Sequence, residues 1–195
     1  MSKPYLQTVV ARYNEDVAWT QELTCEDVLI YNKNENDASK YEYNLPNVGR
    51  EGHTFFNHIV KNYSNLCDYT AFVQGNPFDH CGKIIDLINK FDFSVSFKPL
   101  GNIITLGHIS DNAPLYAVRR QMELYAEAIK FDLRFPVSMI QGGQYIIKKE
   151  IIHRNSLDFY QKIVDSLSES KYPQAGLDVE KTLLQIYRFY DTNFS

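Results

Sequence analysis

Short runs of apolar residues alternate with longer amphipathic stretches along this chain. The apolar runs are LQTVVARY (6–13), DVLIYNK (27–33), YTAFVQG (69–75) and GGQYIIKK (142–149). The first three are rich in Val, Ile, Tyr and Phe and run into turn or loop residues, as strands buried in a sheet do. Elsewhere the spacing is helical. Trp19 to Leu23 predicts a short helix after the first strand. Phe55, Phe56, Ile59, Val60 and Tyr63 form one apolar stripe, and Leu115, Val118, Met122, Tyr125 and Ile129 form another after a start at Asp111–Pro114. Ser156 caps a third helix carrying Phe159, Tyr160, Ile163 and Leu167, and a last one runs from about Leu177 to Tyr190. The polar stretch 32–44 reads as a surface loop. Strands alternating with helices predict an α/β fold: one domain over 1–195, in three layers, with a mostly parallel central sheet.

Composition narrows the class. At 195 residues, 44% hydrophobic and 23% charged, the chain suits a single globular domain with a sizeable core. A net charge of −4 argues against a dedicated nucleic-acid binder. Cys25, Cys67 and Cys81 are odd in number and lack C-x-x-C spacing, which points to a reduced, cytoplasmic setting. No run approaches the roughly 18 apolar residues of a membrane span, and the N-terminal MSKPYLQTVV is too short in apolar length for a signal peptide. Few Gly and Pro with many Asn, Lys, Tyr and Ile hint at an AT-rich genome, viral or bacterial.

In open parallel sheets, ligands bind outside the carboxyl ends of the strands, so the loops there are the ones to inspect. The first strand ends in Arg12, Tyr13, Asn14, Glu15 and Asp16, a nucleotide grip or a solvated turn with a helix cap. The third ends in Gln74, Gly75, Asn76, Pro77, Phe78, Asp79 and His80. Gly75 permits close backbone approach and Pro77 fixes the turn. Asp79 and His80 offer a carboxylate and an imidazole side by side, suited to Mn or Mg with a diphosphate; alternatively, Asp79 caps a helix starting near Cys81.

The stretch LPNVGREGHTFF (45–56) places Arg50 between Gly49 and Glu51 at a helix entry, with His53 a turn on. Arg at such an entry can hold a phosphate or carboxylate, assisted by His53. The plainer alternative is a local Arg50–Glu51 pair. Gln141, Gly142, Gly143 and Gln144 allow tight backbone contact with a sugar or acceptor, or make an ordinary turn. Glu180 falls at the edge of the core face of the last helix, near the direction of Tyr187. There it is either a general base with a raised pKa or a boundary Glu paired with a cation. No G-x-S-x-G, P-loop, G-x-G-x-x-G or H-E-x-x-H is present, and the scattered cysteines argue against a thiol enzyme, although Cys81 adjoins His80.

The motifs V-V-A-R-Y-N-E-D, I-Y-N-K, L-P-N-V-G-R-E-G-H-T, F-V-Q-G-N-P-F-D-H and the late G-G-Q-Y-I-I with L-D-V-E resemble, over most of the chain, an uncharacterised family known only as a domain of unknown function. That family is similar in layout to GT-A glycosyltransferases, single α/β domains that bind a nucleotide-sugar at the carboxyl ends of the early strands. The resemblance implies a glycosyltransferase moving a sugar from a nucleotide-sugar donor to a glycan or glycoprotein hydroxyl. It implies that Arg12, Asn14 and Glu15 face the nucleotide, that Asp79 and His80 lie near the diphosphate with or without Mn, and that Glu180 deprotonates the acceptor. Such enzymes usually carry a D-x-D motif, where this chain has Asn76-Pro77-Phe78-Asp79-His80. The competing expectations are a non-catalytic nucleotide- or carbohydrate-binding module and a metal-assisted hydrolase using Asp79, His80 and His53.

Overall fold

Strand β1 (Leu6–Arg12) is buried along its whole length and forms the middle of the sheet. In the computed structural model, which describes residues 3–106 and 113–189, β1 pairs in parallel with β2 (Asp27–Asn32) on one side and β4 (Tyr69–Gln74) on the other. The short β3 (Tyr43–Asn44) extends the sheet beyond β2, again in parallel. Beyond β4 lie β8 (Tyr145–Lys148), antiparallel, and then β5 (Phe97–Pro99), giving the order β3-β2-β1-β4-β8-β5. The central sheet is thus mostly parallel, as the sequence predicts. Strands β6 (Ile103–Leu106) and β7 (Val137–Ile140) form a separate antiparallel ribbon.

The period of two along each strand sorts the core into two layers. Val9, Ala11, Phe72, Tyr145 and Ile147 face one side and pack against Phe55, Phe56 and Ile59 of α1 (Arg50–Asn62), Ile163 and Leu167 of α5 (Leu157–Leu167), and Val179 and Leu183 of α6 (Gln174–Ile186). Leu6, Val10, Ala71, Val73 and Ile146 face the other side, against Trp19 of the 3-10 turn Ala18–Glu22 and Ile84 and Ile88 of α2 (Ile84–Asn89). Helix α3 (Ala113–Ile129) adds Tyr125 and Ile129 to the first layer, and α4 (Lys149–Ile152) adds Ile151 and Ile152. Among the described residues no helix is long and apolar enough to cross a membrane.

Three local expectations change. Residues 142–149 do not begin as strand: Gly142 and Gly143 adopt φ of 77° and 61° within a 3-10 turn at Gln141–Gly143, and extended backbone starts only at Tyr145. The 32–44 stretch is ordered, with a 3-10 turn at Glu35–Lys40 capped by the Asn34 side chain and with β3 on the sheet edge. Asp79 caps no helix, because α2 starts at Ile84 with Lys83 as its flanking residue. Ser156 does cap α5, accepting from the Phe159 N–H at 3.2 Å. The last helix also shifts: α6 runs Gln174–Ile186, starting before Leu177 and leaving helical backbone at Tyr187 rather than reaching Tyr190. The expected start at Asp111 lies outside the described residues.

Helix α1 carries two buried imidazoles. His58 meets the Tyr31 hydroxyl at 3.0 Å, while His53 Nδ1 has no partner. Burial pushes both down from the usual 6.5 to about 4. A depressed histidine contributes stability fully present above pH 6.5 and lost as pH falls through about 4. One such group at pH 4.5 accounts for about 2.5 kcal/mol by linkage. Because His53 Nδ1 has no partner to strand, the variant His53→Met should lose less stability than wild type between pH 7 and pH 4.5, by an amount of that order. Urea unfolding at the two pH values reads the difference, and equal losses would place the imidazole's titration elsewhere.

Candidate functional site

At β1 the connectivity reverses: the chain moves outward through β2 and β3, then returns to the far side of β1 as β4. The carboxyl ends of β1 and β4 therefore part into a crevice, the place where open parallel sheets bind ligands. A cleft of about 400 Å³ lies there, walled by Arg12, Tyr13 and Glu15 after β1, Lys33 after β2, Asn47, Arg50 and Glu51 at the entry of α1, and Gln74, Gly75, Asn76 and Asp79 after β4, with Lys171 and Tyr172 from the α5–α6 connection. That volume falls in the range of about 300–1,000 Å³ typical of small-molecule sites.

The α1 entry is built around Gly49. Its φ is 62°, its N–H donates to the Ser170 carbonyl at 2.9 Å, and a Cβ placed on it would lie 2.5 Å from the Leu167 carbonyl oxygen. Arg50 follows at φ 50°, a left-handed conformation that a non-glycine residue rarely adopts. The buried Lys33 holds this turn from below: its Nζ donates to the Val48 carbonyl at 2.6 Å and to the Arg50 carbonyl. Burial draws the Lys33 amine down to about 7, opposed by the charge of Glu51. Arg50 is exposed in the cleft, its Nε 3.7 Å from Glu51 Oε2. The local ion pair and the cleft-facing guanidinium are thus one arrangement.

On the β4 side, Trp19 donates its indole N–H to the Gly75 carbonyl at 2.9 Å. A Cβ on Gly75 would come within 2.7 Å of Glu15 Oε2, so the glycine lets Glu15 fold across the strand end. Glu15 Oε2 also accepts from the Tyr13 N–H at 2.6 Å. Asp79 is exposed in the cleft and accepts from Asn76 Nδ2 at 3.1 Å.

Several expected ligand residues prove to be braces. Arg12 borders the cleft, but its guanidinium donates to the carbonyls of Tyr13 and Glu15, to Asn32 and to Asp37, and it lies over the Tyr41 ring. It clamps the β1 turn to the 3-10 turn Glu35–Lys40. Asn14 bonds Asn34 and lies outside the cleft wall. His53 is buried beneath Gly49, with its imidazole held neutral. Gln144 is fully buried; its Oε1 accepts from Gln74 N at 3.0 Å and its Nε2 donates to Pro77 O at 3.3 Å. Gln74 in turn donates to the Gly142 carbonyl at 3.0 Å. Gly142 and Gln144 therefore lock the Gln141–Gln144 turn to the β4 loop.

Asp79 and His80 part company. His80 packs its ring against Gly142, where a Cβ would lie 2.4 Å from His80 Cδ2, and lines a separate recess with Cys81 and Leu100. Among the described residues no group of three or more His, Cys, Asp or Glu side chains is placed to hold a metal ion. Asp79 lines the main cleft, whereas His80 is not part of its wall.

Glu180 lies beside the main cleft. With Gly143 it lines a recess of about 20 Å³ that shares Arg50 and Glu51 with the cleft. Burial, and then the charge of Glu51, lift its carboxyl above the usual range, against the charge of Arg50, the Gly142 N–H and His80. Lys33, Lys171 and Tyr172 were not selected from sequence as binding residues. Lys33 stands in the I-Y-N-K motif, a signal that was present, whereas Lys171 and Tyr172 have no local signal and reach the cleft only through the packing of α5 and α6 on α1.

The model of a family described as "Protein of unknown function (DUF3431)" matches residues 8–88, the part that supplies every cleft residue except Lys171 and Tyr172. The expected likeness to an uncharacterised family is therefore found over those residues. No curated protein matches the chain. Among solved structures, glucosyl-3-phosphoglycerate synthase from Mycobacterium tuberculosis, in complex with phosphoglyceric acid, is similar at 9% identity with a TM-score of 0.35. The likeness covers 76% of this chain and 58% of that one.

Proposed function

We propose that this chain is a glycosyltransferase that moves a sugar from a nucleoside-diphosphate sugar to a hydroxyl acceptor. The observation that carries the reading is the mixed-charge cleft at the carboxyl ends of β1 and β4, with Arg50 presented into it on a left-handed turn held from below by Lys33. This is where the family resemblance of the sequence motifs would put the donor.

In this reading the acceptor hydroxyl oxygen bonds to the anomeric carbon as the bond from that carbon to the diphosphate oxygen breaks. The diphosphate leaves with the electron pair and is stabilised by Arg50. The hydroxyl proton passes to Glu180, whose carboxylate is made a stronger base than an ordinary one by burial and the charge of Glu51. Asp79 and Glu15 also line the cleft, where carboxylate oxygens can accept from the hydroxyl groups of a ligand. The second reading is a nucleotide-binding module without turnover, favoured by the separate position of Glu180 in its small recess.

Thermal unfolding with UDP, GDP, CMP and their common sugars, each with and without Mn, tests the reading. A ligand that binds only the folded state adds RT ln(1 + [L]/Kd) of stability, about 2.7 kcal/mol at a hundredfold excess over Kd, and so raises the midpoint. A rise with one nucleotide, together with release of nucleoside diphosphate from its sugar, is the expected result. A rise without turnover supports the module, and no rise with any nucleotide removes both readings.

A further inference from the structure

The connection between α5 and α6 is tied down at three points. Ser168 caps α5 by donating to the Val164 carbonyl at 2.7 Å, Ser170 accepts the Gly49 N–H at 2.9 Å, and Pro173 is buried at the start of α6. Glu169, Lys171 and Tyr172 remain outward, Tyr172 72% exposed, and the last two wall the main cleft. The hydrogen bond from Gly49 to Ser170 joins the residue before Arg50 to the residue before Lys171. The two cations thus leave adjoining backbone and line one cleft. Arg50 is partly answered by Glu51, but among the described residues Lys171 forms no ion pair. Its Nζ instead lies 5.0 Å from the centre of the Tyr13 ring and 5.3 Å from that of Tyr172.

We propose that Lys171 is a second anion-binding residue of the cleft, acting with Arg50 on the phosphates of a nucleoside diphosphate, and that Tyr172 covers the bound ligand from the same connection. The proposal rests on the nucleotide reading above and adds residues that lie outside the segment matched to the family. A lone ammonium over two tyrosine rings at an exposed site is held weakly. A charge-assisted hydrogen bond to a phosphate is stronger, so the ammonium can leave the rings for an anion. That exchange also uncovers the Tyr13 ring, which is 37% exposed at the end of β1.

Isothermal titration with UDP, GDP and inorganic pyrophosphate, on wild type and on Lys171→Ala, Lys171→Arg, Tyr172→Ala and Arg50→Ala, tests the assignment. Lys171 and Tyr172 are exposed, so these variants are expected to unfold at the wild-type temperature. Lys171→Ala should weaken the preferred nucleoside diphosphate and pyrophosphate alike, by about tenfold, with Lys171→Arg restoring most of it. Tyr172→Ala should weaken the nucleotide and leave pyrophosphate unchanged. If wild type binds and Arg50→Ala does not, while Lys171→Ala binds like wild type, the assignment of Lys171 falls and the nucleotide reading stands. If wild type binds none of the three, both fall.

Discussion

Glu180→Gln is expected to lower turnover by about 10²–10⁴-fold while leaving nucleotide affinity close to wild type, the loss typical of removing a general base. The Gln side chain keeps the shape and the acceptor for the Gly142 N–H but cannot take a proton. The carboxyl is raised by burial and by Glu51, so wild-type activity should climb with pH through a pKa above the ordinary 4.5, and this limb should vanish in the variant. Stability should move the opposite way. A carboxyl whose folded pKa is raised contributes stability below its unfolded pKa and loses it as pH rises through the folded one. At pH 7 the wild type carries that cost, and Gln, which resembles the neutral acid, does not. The variant should therefore unfold at higher urea at pH 7 and lose this advantage at pH 4. Paired steady-state kinetics and urea titrations check it. A variant that is both fully active and no more stable would leave Glu180 as an ordinary boundary residue.

Gly49→Ala should destabilise the fold by about 2–5 kcal/mol, from the left-handed backbone and overpacking together. The added Cβ meets the Leu167 carbonyl oxygen at 2.5 Å, His53 Cβ at 2.7 Å and Leu167 Cβ at 2.9 Å. None of these atoms is the far end of a flexible side chain, so α1 and α5 must separate. Gly52 offers the control: a Cβ there meets only Leu167 Cδ1 at 3.6 Å and Val179 Cγ1 at 3.9 Å, ordinary contact distances. Gly52→Ala, inside α1, should be neutral or stabilising by up to about 1 kcal/mol. Chemical unfolding of the two variants gives the comparison. Equal effects would contradict the packing account of the α1 entry.

The same pair shows what the sequence reveals and where it falls short. The glycines around Arg50 mark a special helix entry, and the entry does face the cleft. Yet Gly49 is required by the close approach of α5, not by a ligand, and contacts between distant segments leave no local pattern. The first strands and α1 were legible because apolar periodicity is local and strong. Strands β3 and β5 were missed because each is only two or three residues long and exists by pairing with a neighbour. Among the site residues, Arg50, Glu15, Gln74, Gly75 and Asp79 line the cleft as strand-end logic suggests. Arg12, His53 and Gln144 looked equally chemical but serve the fold, because a polar side chain near a strand end must either find a ligand or satisfy its neighbours. Sequence cannot distinguish those outcomes until the neighbours are known, and Asp37, Pro77 and the turn at Gly142 come from elsewhere in the chain.

The proposed function requires the cleft between β1 and β4 to be the nucleotide site. A crystal grown with the nucleoside diphosphate that gives the largest thermal shift tests it most directly. The diphosphate is expected within hydrogen-bonding distance of Arg50 and Lys171, with Lys171 drawn off the Tyr13 ring. A nucleotide seated elsewhere, with Arg50 still paired to Glu51 and Lys171 still over Tyr13, would contradict it.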